Sequence, residues 1–282
     1  MTTNKKELSF ECFPPKTEQG QVKLQHMMQQ LNVYKPQYFS VTYGAGGSTR
    51  KHTAATVYQA LSQGITAAPH LSFGGDDEDS IKNLLHQYQE AGVKHLVALR
   101  GDLPSGMGRA QVVYANQLVE FIKQHFGEQF HIAVAAYPEI HPQAKSYDED
   151  IQFLKQKLDA GADSAITQYF YNADAYDYFL TACASQGIDK PIVPGIMPII
   201  NFTNLARFSQ NCGAEIPRWL SHKLTDYQDD QASLIAFARD YVISLCEKLL
   251  ALGAPGLHFY TMNQYQPTAE IVAALSTHFK EA

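Results

Sequence analysis

Apolar positions recur along this chain in two alternating patterns. Short runs of consecutive apolar residues alternate with longer stretches in which apolar residues return every third or fourth position. In one of the longer stretches, Leu24, Met27, Met28 and Leu31 fall at i, i+3, i+4 and i+7, so they share one face of a helix. The pattern therefore predicts helices that each pack one apolar face onto a sheet of buried strands.

Glycine marks the predicted end of a helix at five places, and an apolar run begins within a few residues of each. These glycines are Gly64, Gly92, Gly161, Gly187 and Gly253. Glycine suits the left-handed residue that closes a helix. Together with three further apolar runs, the pattern predicts eight strands: Leu8–Phe13, Tyr38–Thr42, Ala67–Phe73, His95–Leu99, Ile132–Ala136, Ser164–Tyr169, Ile192–Gly195 and Leu257–Tyr260.

Eight strands that alternate with helices predict a parallel (β/α)8 barrel, the TIM-barrel fold, as one domain over residues 1–282. The long interval before the last strand contains Ile216–Leu224 and Gln231–Leu252, which we expect to form extra helices between strands 7 and 8. A doubly wound open sheet is the alternative. A dinucleotide-binding sheet of that kind would place G-x-G-x-x-G after the first strand, where this chain has Phe13-Pro14-Pro15.

Composition excludes several classes of protein. The net charge is −6 and no basic run occurs, which argues against nucleic-acid binding. No apolar stretch is long enough to cross a membrane. The four cysteines are Cys12, Cys183, Cys212 and Cys246. They form no C-x-x-C pair, which predicts a reducing, cytoplasmic setting.

Polar residues collect at the carboxyl ends of the predicted strands, where a barrel carries its chemistry. In chain order they are Glu11, Thr42, His70, Arg100, Asp102, Tyr137, Gln168 and the segment Tyr260–Gln264. Glu11 stands among apolar neighbours. Burial there would raise its pKa toward neutrality, as a general acid requires, although an exposed carboxylate at a strand end is equally compatible with the sequence.

The other polar residues allow more than one interpretation. Arg100 and Asp102 could form a salt bridge at the rim, or could contact a cofactor phosphate and a developing cation. Gln168 could bind the edge of a heterocycle or satisfy the backbone. Glu139 and His141 lack a third ligand at a credible spacing, so we predict no metal site.

Seven motifs in this order resemble those of the methylenetetrahydrofolate reductase family, over nearly the whole chain from about residue 8 to about residue 278. They are Phe10–Pro15, Val41–Ala45, Ala68–Leu71, Leu99–Asp102, Ala136–Glu139, Thr167–Phe170 and His258–Thr261. Several motifs in the same order are more specific than any one of them.

The resemblance implies a flavoenzyme that reduces 5,10-methylenetetrahydrofolate to 5-methyltetrahydrofolate and so supplies methyl groups for methionine synthesis. It implies non-covalent FAD, ping-pong chemistry with NADH or NADPH as the reductant, and a homo-oligomer. There are two alternatives. The first is another flavin barrel, of the proline dehydrogenase type, and the second is an accessory subunit without catalysis. Intact Glu11, Asp102 and Gln168 argue against the second.

The resemblance also assigns roles by position. Glu11 is the acid that assists opening of the imidazolidine ring, and Asp102 stabilises the resulting cation near the flavin. Phe208 and Gln168 contact folate and the nicotinamide dinucleotide in turn, and Asn204 and Gln264 belong to the same substrate site. The FAD contacts are Thr42, Tyr43, Ala45, His70, Arg100, Gly101, Asp102, Ala115, Tyr137, His141, Ala144, Asp150 and Lys157.

Four residues depart from relatives at matching positions. Cys12 replaces a phenylalanine of some bacterial relatives. Gln156 stands where an arginine can contact the FAD phosphates, and Gln264 where an arginine can meet the substrates. Asn204 replaces a glutamine near the folate site. These changes affect the predicted contacts with the FAD phosphates and with the folate tail.

Overall fold

Parallel strands form the centre of the protein in its computed structural model, which describes residues 6–43, 47–73, 77–101 and 114–279. Ala45 and Asp102 lie outside the described residues. The strands within them are β1 Glu7–Cys12, β2 Tyr38–Val41, β3 Ala67–Leu71, β4 His95–Ala98, β5 His131–Ala136, β6 Ser164–Thr167, β7 Ile192–Val193, β8 Gly195–Ile196 and β9 Gly256–Tyr260. Each agrees with a predicted run to within a few residues.

The strand order shows how the sheet closes into a barrel. Neighbouring strands follow the order β7-β6-β5-β4-β3-β2-β1-β9-β8, and all pairs are parallel. The predicted single strand Ile192–Gly195 is therefore corrected to two halves on either side of Pro194. One half pairs with β6 and the other with β9, so the seventh strand joins both ends of the sheet. The predicted (β/α)8 architecture is confirmed.

Helices surround this sheet. Within the described residues they are α1 Glu18–Asn32, α2 Gly47–Ser62, α3 Glu78–Glu90, α4 Ala115–Phe126, α5 Tyr147–Asp159, α6 Ala173–Ser185, α7 Phe202–Cys212, α8 Arg218–Asp226, α9 Gln231–Ala251, α10 Thr268–Ala274 and α11 Ser276–Phe279. The two predicted extra helices correspond to α8 and α9. None of the helices in the described ranges is both long and apolar enough to span a membrane.

Local sequence explains where the helices begin and end. Thr17 caps α1 by accepting a hydrogen bond from the Gly20 N–H. All five predicted glycines have a positive φ, between 73° and 116°. The predicted α1 stripe is buried, since Leu24, Met27, Met28 and Leu31 are each at most 3% exposed. Most of the apolar core lies between this ring of helices and the outer face of the strands.

The inside of the barrel is divided into an apolar and a polar side. Val97, Ala133 and Ile166 form a small separate apolar cluster on β4, β5 and β6. On the other side, β1, β2 and β9 bring buried polar residues together, among them Ser9, Ser40 and His258. Glu11 lies on the polar side, on the same face of β1 as Ser9. A charged group is therefore placed beside polar neighbours and away from the apolar cluster.

Candidate active site

Glu11 lies at the carboxyl end of β1 between two imidazoles from other strands. His70 Nε2 on β3 is 3.4 Å from Glu11 Oε2, and His258 Nε2 on β9 is 3.9 Å from the same oxygen. Both histidines are buried, whereas 21% of the Glu11 side chain is exposed. The barrel mouth therefore holds a carboxyl and two groups that can exchange protons with it.

The expectation that burial lifts the pKa of Glu11 toward neutrality is wrong for this arrangement. Burial has the largest effect and raises the pKa. The combined interactions with His258 and His70 outweigh it and lower the pKa from 4.5 to about 2. The sequence placed an acid among apolar neighbours but did not show the imidazoles that face it. With these two imidazoles beside it, the carboxyl is ionised at neutral pH.

Residues after β9 fix the backbone that carries Glu11. Thr261 Oγ1 donates a hydrogen bond to the Glu11 carbonyl at 2.6 Å. The Asn263 side chain accepts from the Phe13 N–H at 2.9 Å and donates to the Phe13 carbonyl at 2.8 Å. Asn263 and the adjacent Met262 both have a positive φ. The sequence predicts this segment at the site, and the structure adds that it holds the end of β1.

A second polar group forms where β5 leads into α5, and it gathers several of the predicted cofactor residues. The His141 N–H donates to Asp150 Oδ2 at 2.8 Å, and the Tyr137 and His141 rings lie 4.5 Å apart between centroids. The Ala144 N–H donates to the His141 carbonyl. Half-buried Lys157 donates from Nζ to the Ala135 carbonyl at 2.5 Å. These contacts bring the residues together where β5 leads into α5.

Electrostatics make this group suitable for an anion. Burial lowers the pKa of Lys157 to about 8, while Asp150 opposes that effect. Burial also raises the pKa of Asp150 and lowers that of His141. Arg100 reaches the group through its hydrogen bond to Gln143 Oε1 at 2.8 Å. A negatively charged ligand would relieve the cost of holding Lys157 charged in a half-buried position.

Gly101 brings the backbone after β4 close to β3. Its φ is +78°, and a Cβ there would lie 2.5 Å from Ser72 Oγ. Thr42 and Tyr43 lie half-buried at the neighbouring end of β2, where the Thr42 N–H donates to the Cys12 carbonyl. Ala115 begins α4. These predicted cofactor residues therefore lie at strand ends or at a helix start.

An apolar cavity of about 330 Å³ adjoins the polar groups. Its lining consists of Tyr169, Met197, Phe208, Asn211, Cys212 and Met262. Phe208 is 36% exposed on α7, a helix that the sequence pattern does not distinguish from its surroundings. Gln168 lines the adjoining cleft together with Tyr137 and Tyr169. The two predicted substrate residues Gln168 and Phe208 therefore lie at adjoining parts of one depression.

Two other predicted substrate residues are exposed at the edges of this region. The Asn204 N–H donates to Asn201 Oδ1 in the first turn of α7. The Gln264 N–H donates to the Thr261 carbonyl.

Glu139 accepts a hydrogen bond from the Glu215 N–H at 2.7 Å, and burial raises its pKa to about 7. The structure thus gives Glu139 a contact with the segment between α7 and α8.

The low pKa of Glu11 predicts a specific acid dependence of stability. The unfolded chain binds a proton at Glu11 near pH 4.5, and the folded chain does so only near pH 2, so the free energy of unfolding falls as the pH drops through this window. We expect Glu11→Gln to lose less of its free energy of unfolding than the wild type over that window. Urea unfolding at several pH values between about 5 and 3 measures this difference. Parallel pH curves for the two proteins would contradict it.

Comparison with known proteins adds independent findings. A family model described as methylenetetrahydrofolate reductase matches residues 1–276. The chain is 37% identical to the 5,10-methylenetetrahydrofolate reductase of Escherichia coli (strain K12) over 269 residues, 95% of this chain and 90% of that protein. It is 39% identical to the protein of that name from Buchnera aphidicola subsp. Schizaphis graminum, over 93% of this chain and 89% of the relative.

More distant proteins are also similar. Methylenetetrahydrofolate reductase (NADH) 1 of Arabidopsis thaliana is 36% identical over 90% of this chain and 46% of the plant protein. Among solved structures, an uncharacterized Clostridium thermocellum protein that binds two copies of 5-methyl-5,6,7,8-tetrahydrofolic acid has the same fold. Its TM-score is 0.67 at 16% identity, and the match covers 98% of this chain and 96% of that one.

Proposed function

The chain belongs to the methylenetetrahydrofolate reductase family and is an oxidoreductase of methylenetetrahydrofolate; we propose that it works by ping-pong chemistry with FAD and NADH or NADPH. The observation that carries this proposal is the position of Glu11, which lies between two imidazoles at the barrel mouth. A polar group that contains Lys157 and an apolar cavity lie at the same end of the strands. A flavin barrel of the proline dehydrogenase type receives no support from the similarities.

The residues beside the mouth fit FAD. Arg100 and Lys157 offer positive charge for its pyrophosphate, and the Tyr137 and His141 rings offer flat surfaces. We assign the remaining predicted contacts to the same cofactor: Thr42, Tyr43, Ala45, His70, Gly101, Asp102, Ala115, Ala144 and Asp150. When bound, FAD supplies the hydride chemistry, while the protein orients the reactants and controls protons.

Glu11 serves as the proton donor in this proposal. Reduction of the methylene carbon breaks its bond to one ring nitrogen, and that nitrogen must gain a proton. A substrate that covers the exposed 21% of Glu11 would remove water from it and raise its pKa above about 2. His70 Nε2, at 3.4 Å, lies close enough to pass a proton to the carboxylate, and His258 Nε2 lies at 3.9 Å, a separation that one water can bridge. Asp102 is proposed to stabilise the cation that precedes reduction.

The apolar cavity is proposed to bind the substrates. Phe208 and Met197 provide apolar surface for a flat ring, and Gln168 at the adjoining cleft can both donate and accept hydrogen bonds to a pterin edge. Asn204 and Gln264 at the edges are proposed to contact the polar ends of folate or of the dinucleotide. One space shared by both substrates is consistent with a ping-pong order.

The two half-reactions test the proposed function directly. The protein reconstituted with FAD should show a flavin absorption band that bleaches under anaerobic conditions with NADH or NADPH. Methylenetetrahydrofolate should then restore the band, much faster than a proline-derived imine does. A protein that binds no FAD, or whose reduced flavin methylenetetrahydrofolate does not reoxidise, would overturn the proposal.

Lys157→Met is expected to weaken FAD binding about 10- to 100-fold, because it removes one charge-assisted hydrogen-bond donor for the pyrophosphate. Lys155→Met is the matched control. Lys155 lies on the same helix but forms an exposed ion pair with Asp159 at 2.9 Å. Titration of the apoprotein with FAD, followed by quenching of flavin fluorescence, measures both affinities. If the two variants bind FAD with equal affinity, Lys157 does not contact the cofactor.

A further inference from the structure

The polar side of the barrel interior continues below Glu11. Ser9 pairs in register with Tyr38 on β2 and with His258 on β9, so the three side chains share one layer. Ser9 Oγ lies 2.7 Å from His258 Nδ1, and the Ser9 hydroxyl acts on Tyr38 by lowering the pKa of its phenol. Ser9, Tyr38 and His258 are each at most 7% exposed. A connected set of hydroxyl and imidazole groups therefore lies directly beneath the acid.

The same series reaches the opposite end of the barrel. The Tyr38 ring lies 4.9 Å from the His95 ring, and the His95 ring lies 5.4 Å from the His131 ring, between centroids. Tyr38, His95 and His131 are the first residues of β2, β4 and β5, so they mark the amino-terminal end of the strands. His131 is exposed, and its Nε2 lies 3.0 Å from Ser164 Oγ.

Several atoms along this series require a further hydrogen-bond partner. Ser40 Oγ and His95 Nδ1 are buried and have none among the residues that the structure describes. His258 Nε2 is 3.9 Å from Glu11, beyond direct hydrogen-bond distance. Buried polar atoms of this kind in proteins are satisfied by internal water, which can bridge groups that do not touch.

The groups in the series can relay protons without holding them. A hydroxyl and a neutral imidazole each donate one hydrogen bond and accept another. Burial and the neighbouring His131 lower the pKa of His95 to about 4, although Asp163 opposes them. Burial raises the pKa of Tyr38 to about 12, with Glu7 and Glu11 adding to the effect and Ser9 opposing it. Both side chains therefore stay neutral near pH 7.

We propose that the series His131, His95, Tyr38, Ser9 and His258 is a proton route that returns a proton to Glu11 from solvent at the amino-terminal end of the strands. The inference rests on the proposed function. In each turnover the methylene carbon is reduced, with the hydride that bound FAD would supply, and its bond to one ring nitrogen breaks. That nitrogen keeps the electron pair and takes the Glu11 proton, so bulk water must replace one proton per turnover. A substrate seated over the mouth would limit replacement from above.

Tyr38→Phe tests the route, because it removes one hydroxyl and keeps the ring. We expect the rate of methylenetetrahydrofolate reduction in single turnover to fall at least about fivefold and its solvent deuterium isotope effect to rise, as a proton transfer becomes limiting. Proton uptake, followed with an indicator dye, should lag behind flavin reoxidation. Flavin reduction by NADH should stay within about twofold of the wild type. Tyr58→Phe, on α2 outside the barrel, is the matched control.

His131→Ala gives a second test at an exposed position. We expect a slower folate half-reaction in dilute buffer, and restoration of the rate by added imidazole. If both variants keep the wild-type rate and isotope effect, the proton enters elsewhere and the inference is overturned. It is also overturned if Tyr38→Phe slows both half-reactions equally. Failure of the proposed function is distinguishable, since the wild type would then show no folate half-reaction.

Discussion

Replacing Glu11 with glutamine is expected to slow methylenetetrahydrofolate reduction by about 100- to 10,000-fold, the usual contribution of a general acid. The amide keeps the size of the side chain but cannot deliver a proton to the departing nitrogen. Reduction of the flavin by NADH requires no such donor, so its rate should remain within a few-fold of the wild type. The two half-reactions of the variant should therefore separate.

Anaerobic stopped-flow absorbance measures each half-reaction alone. Glu7→Gln is the matched control, since Glu7 begins the same strand and is exposed at its other end. This control should leave both rates unchanged. If Glu11→Gln loses both half-reactions, its effect is on cofactor binding or folding. If it loses neither, Glu11 is not the acid.

Gly195→Ala is expected to destabilise the protein by about 3 kcal/mol or more, at the upper end of overpacking effects. A Cβ at this position would lie 2.2 Å from the Thr167 carbonyl oxygen and 2.6 Å from the Tyr260 ring. The Gly195 N–H donates to Thr167 Oγ1 at 2.9 Å, and the Tyr260 hydroxyl donates to the Thr167 carbonyl at 2.7 Å. The added methyl group thus meets backbone where β8 pairs with β9.

Gly64→Ala separates crowding from backbone conformation. Gly64 has a φ of +73° and nothing within 4 Å of an added Cβ, so the substitution should cost only about 1–2 kcal/mol. Urea unfolding compares the two variants with the wild type. Because Tyr260 follows His258 on β9, Gly195→Ala should also reduce folate reduction in the protein that remains folded. Equal losses of stability for both variants would show that the barrel accommodates a methyl group at this closure.

The strands were predictable because their signal is local. Most residues of the apolar runs from Leu8–Phe13 to Leu257–Tyr260 are buried, and the glycines that end the helices need only a backbone conformation. The split of Ile192–Gly195 was not predictable. Val193 and Gly195 are only two positions apart, yet Val193 pairs with β6 and Gly195 pairs with β9, near opposite ends of the sheet. This change of partner depends on how the whole barrel closes.

The sequence by itself determined the barrel, the position of Glu11 at the end of the first strand and, through its motifs, the family. Only the tertiary structure decided the ionisation of Glu11. His70 and His258 lie 59 and 247 positions further along the chain, and they lower the pKa of Glu11 to about 2 where its apolar neighbours suggested the reverse. Apolar periodicity records which residues are buried, whereas a pKa depends on the charges that folding brings within a few ångströms.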